Sequence, residues 1–346
     1  MSAITIDGDL VHYEVLGRGR PVILLHGLLG SWRYWIPTIQ HLQQNFRVYA
    51  LDLYGFGDSA KKPEKYSLRH QVALVADFMQ EMGLPKAALI GHDLGAYVAV
   101  EFAQQYPDRV ARLMIVNTPL YNPGDLEQRV PLRRVPIESR PAGAESQPLD
   151  PSSAPTLMSP GAAMRKALME AAAARSRQTP AAVPVAVPTP AEVTIPRRPM
   201  VETSGINPLK DVVAQGSEVL LGRSFKKGEP NYEKLMVDIA RGDARAVTDL
   251  AATYDAELML DTIRLLPMPI ALVHGLEDSV TPPPAEAMLN YLTGERGSTV
   301  VPILLPGTRH FPMLEDPRFD VLIKECLEAV DFSRIAVKDR WVRRTR

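Results

Sequence analysis

Short apolar runs alternate along this chain with longer stretches in which apolar positions recur every three or four residues. Leu10–Leu16, Val22–Leu25, Arg47–Asp52, Ala87–Ile90 and Arg112–Val116 read as strands, and Ile270–Val273 and Val300–Leu305 follow late in the chain. Helical spacing lies between or after them, at Tyr66–Glu81, Ala96–Tyr106 and Phe319–Val330. Strands this short and apolar are buried on both faces, so helices must cover each side. The pattern predicts an α/β fold with a mostly parallel, doubly wound sheet.

Residues 119–200 break the alternation. They hold about half of the prolines, and no aromatic residue or histidine occurs between Asn122 and Ser224. Such a composition has little with which to build a core. Within it only Gly161–Ala174 reads as a helix, and Pro184–Pro190 is low in complexity. Helical character returns at about Asn207 and continues through Tyr232–Ala240, Ala244–Tyr254 and Ala256–Leu265. The expected organisation is a core of residues 1–120 and 266–333, interrupted by a lid insertion over 121–265 between the sheet's sixth and seventh strands. The Pro- and Ala-rich part, 122–200, is expected to be mobile. The basic tail, 334–346, is expected to be solvated.

Charge and composition exclude more than they identify. The formal net charge is −1, which points away from nucleic acid and from charged membrane surfaces. The lone cysteine, Cys326, excludes an internal disulfide and lies in the apolar pattern of the last helix, so it is expected in the core. No apolar run reaches the ~18 residues of an integral membrane segment. The N-terminus lacks the basic and apolar regions of a secretory leader. The expectation is a cytoplasmic protein.

Chemistry enters at Gly91-His92-Asp93-Leu94-Gly95. A strand runs into a sharp turn flanked by glycines, and a helix follows, which is the spacing of a nucleophile elbow. The tip is Asp93, where such elbows more often carry serine. Three other loops follow apolar strands. His26-Gly27-Leu28-Leu29-Gly30 can turn a backbone amide, at Leu28, toward the elbow, and the Leu94 amide supplies a second donor. Together they would form an oxyanion hole. Asp278 follows Ile270–Val273, and His310 follows Val300–Leu305. Both sit beyond strand carboxyl ends, where open sheets place functional groups. The other histidines are read as structural: His26 and His92 in the loop and elbow, His274 at a strand end, and His12, His41 and His70 at the surface. Gly55-Phe56-Gly57 lacks the third glycine of a dinucleotide loop. No H-E-x-x-H spacing occurs, so neither metal nor cofactor is expected.

With these residues in the order nucleophile, acid, histidine, the chain resembles the α/β-hydrolase superfamily. Its Asp93 elbow is similar to that of the epoxide hydrolase and haloalkane dehalogenase branches. Asp52-Leu53-Tyr54-Gly55-Phe56-Gly57-Asp58-Ser59 resembles the D-x-x-G-x-G-x-S segment of the same superfamily. The resemblance covers residues 8–120 and 266–330. It implies a hydrolase with Asp93 as nucleophile, Asp278 and His310 completing a triad, and an alkyl-ester intermediate. The apolar side chains Leu28, Leu29, Leu94, Phe311 and Met313 imply a small apolar substrate, with water as co-substrate. Two departures matter. Leu94 stands where haloalkane dehalogenases place a tryptophan, and the H-G-x-P proline of epoxide hydrolases is missing after Leu28. Tyr254, with Tyr232 and Tyr121 as other candidates, is expected to assist an opening oxide, and Trp32 to contact substrate. An epoxide hydrolase-like activity leads. The alternatives are a haloalkane dehalogenase or esterase-like activity, or a non-catalytic binding protein of the same fold. Substrate identity and oligomeric state stay open.

Overall fold

The computed structural model describes residues 2–126, 206–294, 299–330 and 332. All fall in one of the two compact units of the chain, residues 1–132 together with 202–346. The expected helix at 161–174, the 184–190 segment and the basic tail lie outside the described residues, as does most of the 122–200 stretch.

Eight strands form one sheet: β1 (Ser2–Ile6), β2 (Asp9–Leu16), β3 (Arg20–Leu25), β4 (Phe46–Leu51), β5 (Ala87–His92), β6 (Val110–Val116), β7 (Ile270–Gly275) and β8 (Val300–Leu305). Their order is β1-β2-β4-β3-β5-β6-β7-β8. β1 and β2 pair antiparallel, and β2 pairs antiparallel with β4. Every other pairing is parallel. This is the doubly wound α/β sheet that the alternation predicts. β1 has no counterpart in the sequence reading. Its residues alternate between half-buried or exposed and a single buried Ile6, so it carries too few apolar positions to stand out.

The central strands are dry. All six residues of β5 and all six of β7 are buried. The helix after β5, α3 (Leu94–Gln105), is also apolar nearly all round: Ala96, Val98, Ala99, Val100, Phe102 and Ala103 are buried. A helix of that kind belongs inside a layered protein. Each fully buried large apolar side chain stabilises the fold by roughly 1.5–3 kcal/mol. Between β6 and β7 the chain inserts five helices among the described residues: Leu209–Val213, Ser217–Ser224, Pro230–Ile239, Ala244–Ala251 and Ala256–Leu265. The first two were not resolved as separate helices by the sequence pattern, because their apolar positions are few. Asp243 and Asp255 cap the last two by accepting backbone N–H bonds in their first turns.

Small residues let β5 and α3 approach β3. A Cβ at Gly95 would lie 2.4 Å from the His26 carbonyl oxygen and 2.5 Å from that of Leu25. One at Gly91 would lie 2.5 Å from the Ala96 Cα. All these neighbours are backbone, so they cannot swing aside. Gly95→Ala should therefore destabilise the protein by about 1–3 kcal/mol or prevent folding, as overpacking does. A denaturant titration of the variant checks this; an unchanged midpoint would contradict the close approach.

Candidate active site

Four loops at strand carboxyl ends converge on Asp93. The turn that carries it is strained. Asp93 has φ +52° and ψ −118°, a conformation that costs a non-glycine residue of order 1–3 kcal/mol. Its backbone is held by an N–H bond to the Val116 carbonyl (2.9 Å), while its own carbonyl accepts from Ala96 N (3.0 Å). The side chain is wholly buried.

The two carboxylate oxygens are not equivalent. Oδ2 accepts a hydrogen bond from the Leu28 backbone N–H at 2.8 Å. The Leu94 N–H also favours the ionised carboxylate and acts to lower its pKa. Oδ1 is buried and has no hydrogen-bond partner among the described residues. Burial raises the Asp93 pKa, against the opposing pull of the His310 charge and the two amides. Gly27 is part of this arrangement: a Cβ there would come within 2.7 Å of the Asp93 Cβ and Oδ2.

His310 faces both acids. Its Nδ1 lies 2.9 Å from Asp278 Oδ2, and its Nε2 lies 3.9 Å from Asp93 Oδ2. Asp278 already accepts from the Val280 and Thr281 amides at Oδ1, and from Thr281 Oγ1 and Asn117 Nδ2 at Oδ2. A carboxylate so surrounded stays ionised. Burial acts to raise the Asp278 pKa, but the His310 charge and hydrogen bond, with His274 and Thr281, take it well below the usual carboxylate range. Asp278 thus accepts the Nδ1 proton and leaves the His310 Nε2 lone pair free. That nitrogen is buried without a partner among the described residues. For His310 itself burial is the largest influence and lowers the pKa, yet Asp278 and Asp93 together raise it above 6.5.

The sequence reading brought Asp93, Leu28, Leu94, Asp278 and His310 forward, and the structure gathers all five in one place. Two other candidates have partners elsewhere. Tyr254 is buried, and its hydroxyl donates to the Pro119 carbonyl at 2.7 Å, so that donor is already committed. Trp32 gives its backbone N–H to Asp52 (2.9 Å), and its ring lies 5.8 Å from His12 and beside the Arg33 guanidinium. These contacts tie it to Asp52 rather than to Asp93. Tyr121, another of the candidate tyrosines, differs from Tyr254. Its hydroxyl is buried with no partner among the described residues, and burial raises its pKa, with the Asp93 and Asp278 charges adding to the shift.

Asn117 and Thr281 were missed. Asn117 has φ +43° and bridges Asp278, the Arg309 carbonyl and the Gly275 N–H. The signal was available, since Asn117 directly follows the Arg112–Val116 run. His12 was expected at the surface but is buried, with Nδ1 3.0 Å from Asp52 Oδ2. The D-x-x-G-x-G-x-S segment folds over β2: Ser59 Oγ accepts from the His12 N–H, and the Ala60 N–H donates to the Leu10 carbonyl. His12, Asp52 and Asp58 are spaced as a metal site could be. Arg33 and Arg241 already neutralise Asp58, at 2.7 and 3.2 Å, so a cation would have two guanidiniums to displace. Beside the Leu28 loop lies a cavity of about 80 Å³ lined by Leu28, Phe56, Ile239, Val247 and Asp238, among others.

Comparison with known proteins supports this architecture. A family model described as alpha/beta hydrolase fold matches residues 20–317. The soluble epoxide hydrolase of Corynebacterium sp. (strain C12) is 39% identical over 112 residues, 32% of this chain and 39% of that protein. Bifunctional epoxide hydrolase 2 of Mus musculus is 34% identical over 136 residues, 38% of this chain and 24% of that protein. The putative carbamate hydrolase RutD of Caulobacter vibrioides is 38% identical over 122 residues, 34% of this chain and 45% of that protein. The chain therefore matches less than half the length of each of these relatives. Among solved structures, a thermophilic esterase from Thermogutta terrifontis superposes with a TM-score of 0.61 at 20% identity, covering 94% of this chain and 98% of that one. The epoxide hydrolase CorEH superposes with a TM-score of 0.57 at 20% identity, covering 94% and 96%. At that identity the likeness establishes the fold.

The His310 pKa is the measurable consequence of this geometry. Asp278→Asn removes the charge that offsets burial, so the His310 pKa should fall. An NMR titration of the imidazole checks the sign; an unchanged or higher value would contradict the pairing.

Proposed function

The chain belongs to the alpha/beta hydrolase fold family, and from that premise we propose that it opens a small apolar epoxide through an alkyl ester of Asp93. The observation that carries this reading is the asymmetry of the Asp93 carboxylate, with Oδ2 on the Leu28 amide and Oδ1 buried with no partner among the described residues.

A carboxylate attacking an ester carbonyl would form an anhydride, an intermediate of high energy. Attack on saturated carbon gives a plain ester instead. Asp93 Oδ1 attacks an epoxide carbon, the C–O bond breaks, and the departing oxygen takes a proton. His310 Nε2 then removes a proton from water, and the resulting hydroxide adds to the Asp93 carbonyl carbon. Charge develops on Oδ2, where the Leu28 amide already donates, with the Leu94 N–H as the second donor of the proposed oxyanion hole. The acyl–oxygen bond breaks, protonated His310 returns its proton to the departing Oδ1, the diol leaves with that oxygen, and the oxygen from water stays on Asp93. Asp93 and His310 are wholly buried, so each turnover requires an opening that admits the substrate.

The Tyr121 hydroxyl favours an epoxide over a halide. An opening oxide needs a proton and a departing halide does not, and this hydroxyl is a donor without a partner among the described residues, on which the Asp93 and Asp278 charges act. The epoxide hydrolases among the relatives favour the same substrate class.

Single turnover in ¹⁸O water should place heavy oxygen in Asp93, located by peptide mass spectrometry. His310→Gln should accumulate the alkyl-enzyme as an adduct with the mass of the whole epoxide. Turnover without label in Asp93 would rule out the ester. Separately, Tyr121→Phe should slow epoxide opening by about 10²-fold, the lower range for general acid catalysis, and leave any haloalkane reaction unchanged. Equal rates with epoxides for the variant and the parent would remove Tyr121 from the scheme.

A further inference from the structure

The loop that presents the Leu28 amide has little stiffness of its own. His26-Gly27-Leu28-Leu29-Gly30-Ser31 contains two glycines and no proline. It must nevertheless hold one N–H at 2.8 Å from Asp93 Oδ2. Two buried side chains outside the proposed chemistry meet it there. Gly27 N–H donates to the Tyr34 hydroxyl oxygen at 2.5 Å, and that hydroxyl lies 2.9 Å from His92 Nδ1. His92 Nε2 lies 2.7 Å from the His310 carbonyl oxygen.

The partners fix every proton in this chain. A carbonyl only accepts, so His92 Nε2 carries the hydrogen. With Nε2 protonated and the ring neutral, Nδ1 accepts, and the Tyr34 hydroxyl donates to it. The Tyr34 oxygen then accepts from Gly27. Burial keeps the ring neutral by holding the His92 pKa well below 6.5. The rings are packed as well as bonded: His92 lies 5.4 Å from Tyr34, 4.8 Å from His310 and 5.3 Å from Phe311, and Tyr34 lies 5.5 Å from Phe311.

We propose that Tyr34 and His92 are positioning residues, a hydrogen-bonded tie that sets the amide loop and the His310 loop at a fixed separation across Asp93. His92 is bonded covalently to Asp93. Its grip on the His310 carbonyl therefore fixes the distance from the nucleophile to the base, while its grip on Tyr34 fixes the loop beside Oδ2. The inference rests on the ester mechanism for its kinetic consequence and on geometry alone for its existence.

The kinetic signature is a split between half-reactions. In alkylation, charge leaves the Asp93 carboxylate, so a loosened amide costs little. In ester hydrolysis, charge builds on Oδ2 and His310 must meet its water, so both ends of the tie matter. Tyr34→Phe keeps the ring and removes the hydroxyl. It should slow hydrolysis of the alkyl-enzyme by about tenfold, below the 10²–10³ of losing an oxyanion donor outright, and slow alkylation less. His92→Gln can still accept and donate, so it should retain more hydrolysis than His92→Leu. Equal slowing of both half-reactions, or no slowing of either, would overturn the proposal.

Nitrogen NMR of the full chain with labelled histidine tests the tie without any turnover. Wild-type His92 should be neutral with its proton on Nε2, and Tyr34→Phe should move the Nδ1 signal toward that of a free, unprotonated nitrogen. A proton on Nδ1, or a spectrum unmoved by the substitution, would overturn the tie even if no substrate alkylates Asp93. A correct spectrum with no alkylation would leave the tie standing and defeat the ester mechanism alone.

Discussion

One hydrogen bond organises the site: the Leu28 N–H on Asp93 Oδ2. A carboxylate wholly inside a protein costs several kcal/mol in lost hydration. An amide that holds one oxygen offsets part of that cost, and the other oxygen has no partner among the described residues. The rest of the neighbourhood follows from keeping this geometry. Gly27 must lack a side chain because Asp93 fills the space, and Gly95 because β3 and α3 touch. Asp93 must accept a strained backbone, because only that turn lifts its carboxylate above the sheet toward the loop.

The charges are arranged around the same constraint. Asp278 receives more hydrogen bonds than Asp93, and the two carboxyl pKa values move apart, Asp278 down and Asp93 up. Groups driven apart in this way can take different roles at one pH. Asp278 stays an anion that orients His310, while Asp93 remains a carboxylate with an uncommitted oxygen. The His310 charge and hydrogen bond make most of the difference, and His274 and the Thr281 hydroxyl add to it.

The fold does not settle the reaction. Structures with this topology include an esterase and an epoxide hydrolase at the same 20% identity. Function resides in the groups placed on the fold. Here the proposed chemistry turns on two atoms: a carboxylate oxygen where a serine hydroxyl would direct the enzyme to carbonyls, and the Tyr121 hydroxyl, which is buried without a partner among the described residues.

The sequence by itself determined the layered sheet, because continuous apolar runs have only one way to stay dry, and it brought forward the elbow, the amide loop, Asp278 and His310, because each lies at or just beyond the end of such a run. It could not register β1, whose few apolar positions give no contrast. Nor could it decide which tyrosine offers a hydroxyl. Tyr254 and Tyr121 are alike as residues, and only tertiary packing commits one to the Pro119 carbonyl and leaves the other without a partner among the described residues. The burial of His12 under a distant segment and the tie from Gly27 through Tyr34 and His92 to His310 are likewise invisible in one dimension. Local pattern records what a residue must avoid, which is water; partners 58 and 218 positions away are chosen by how the elements pack.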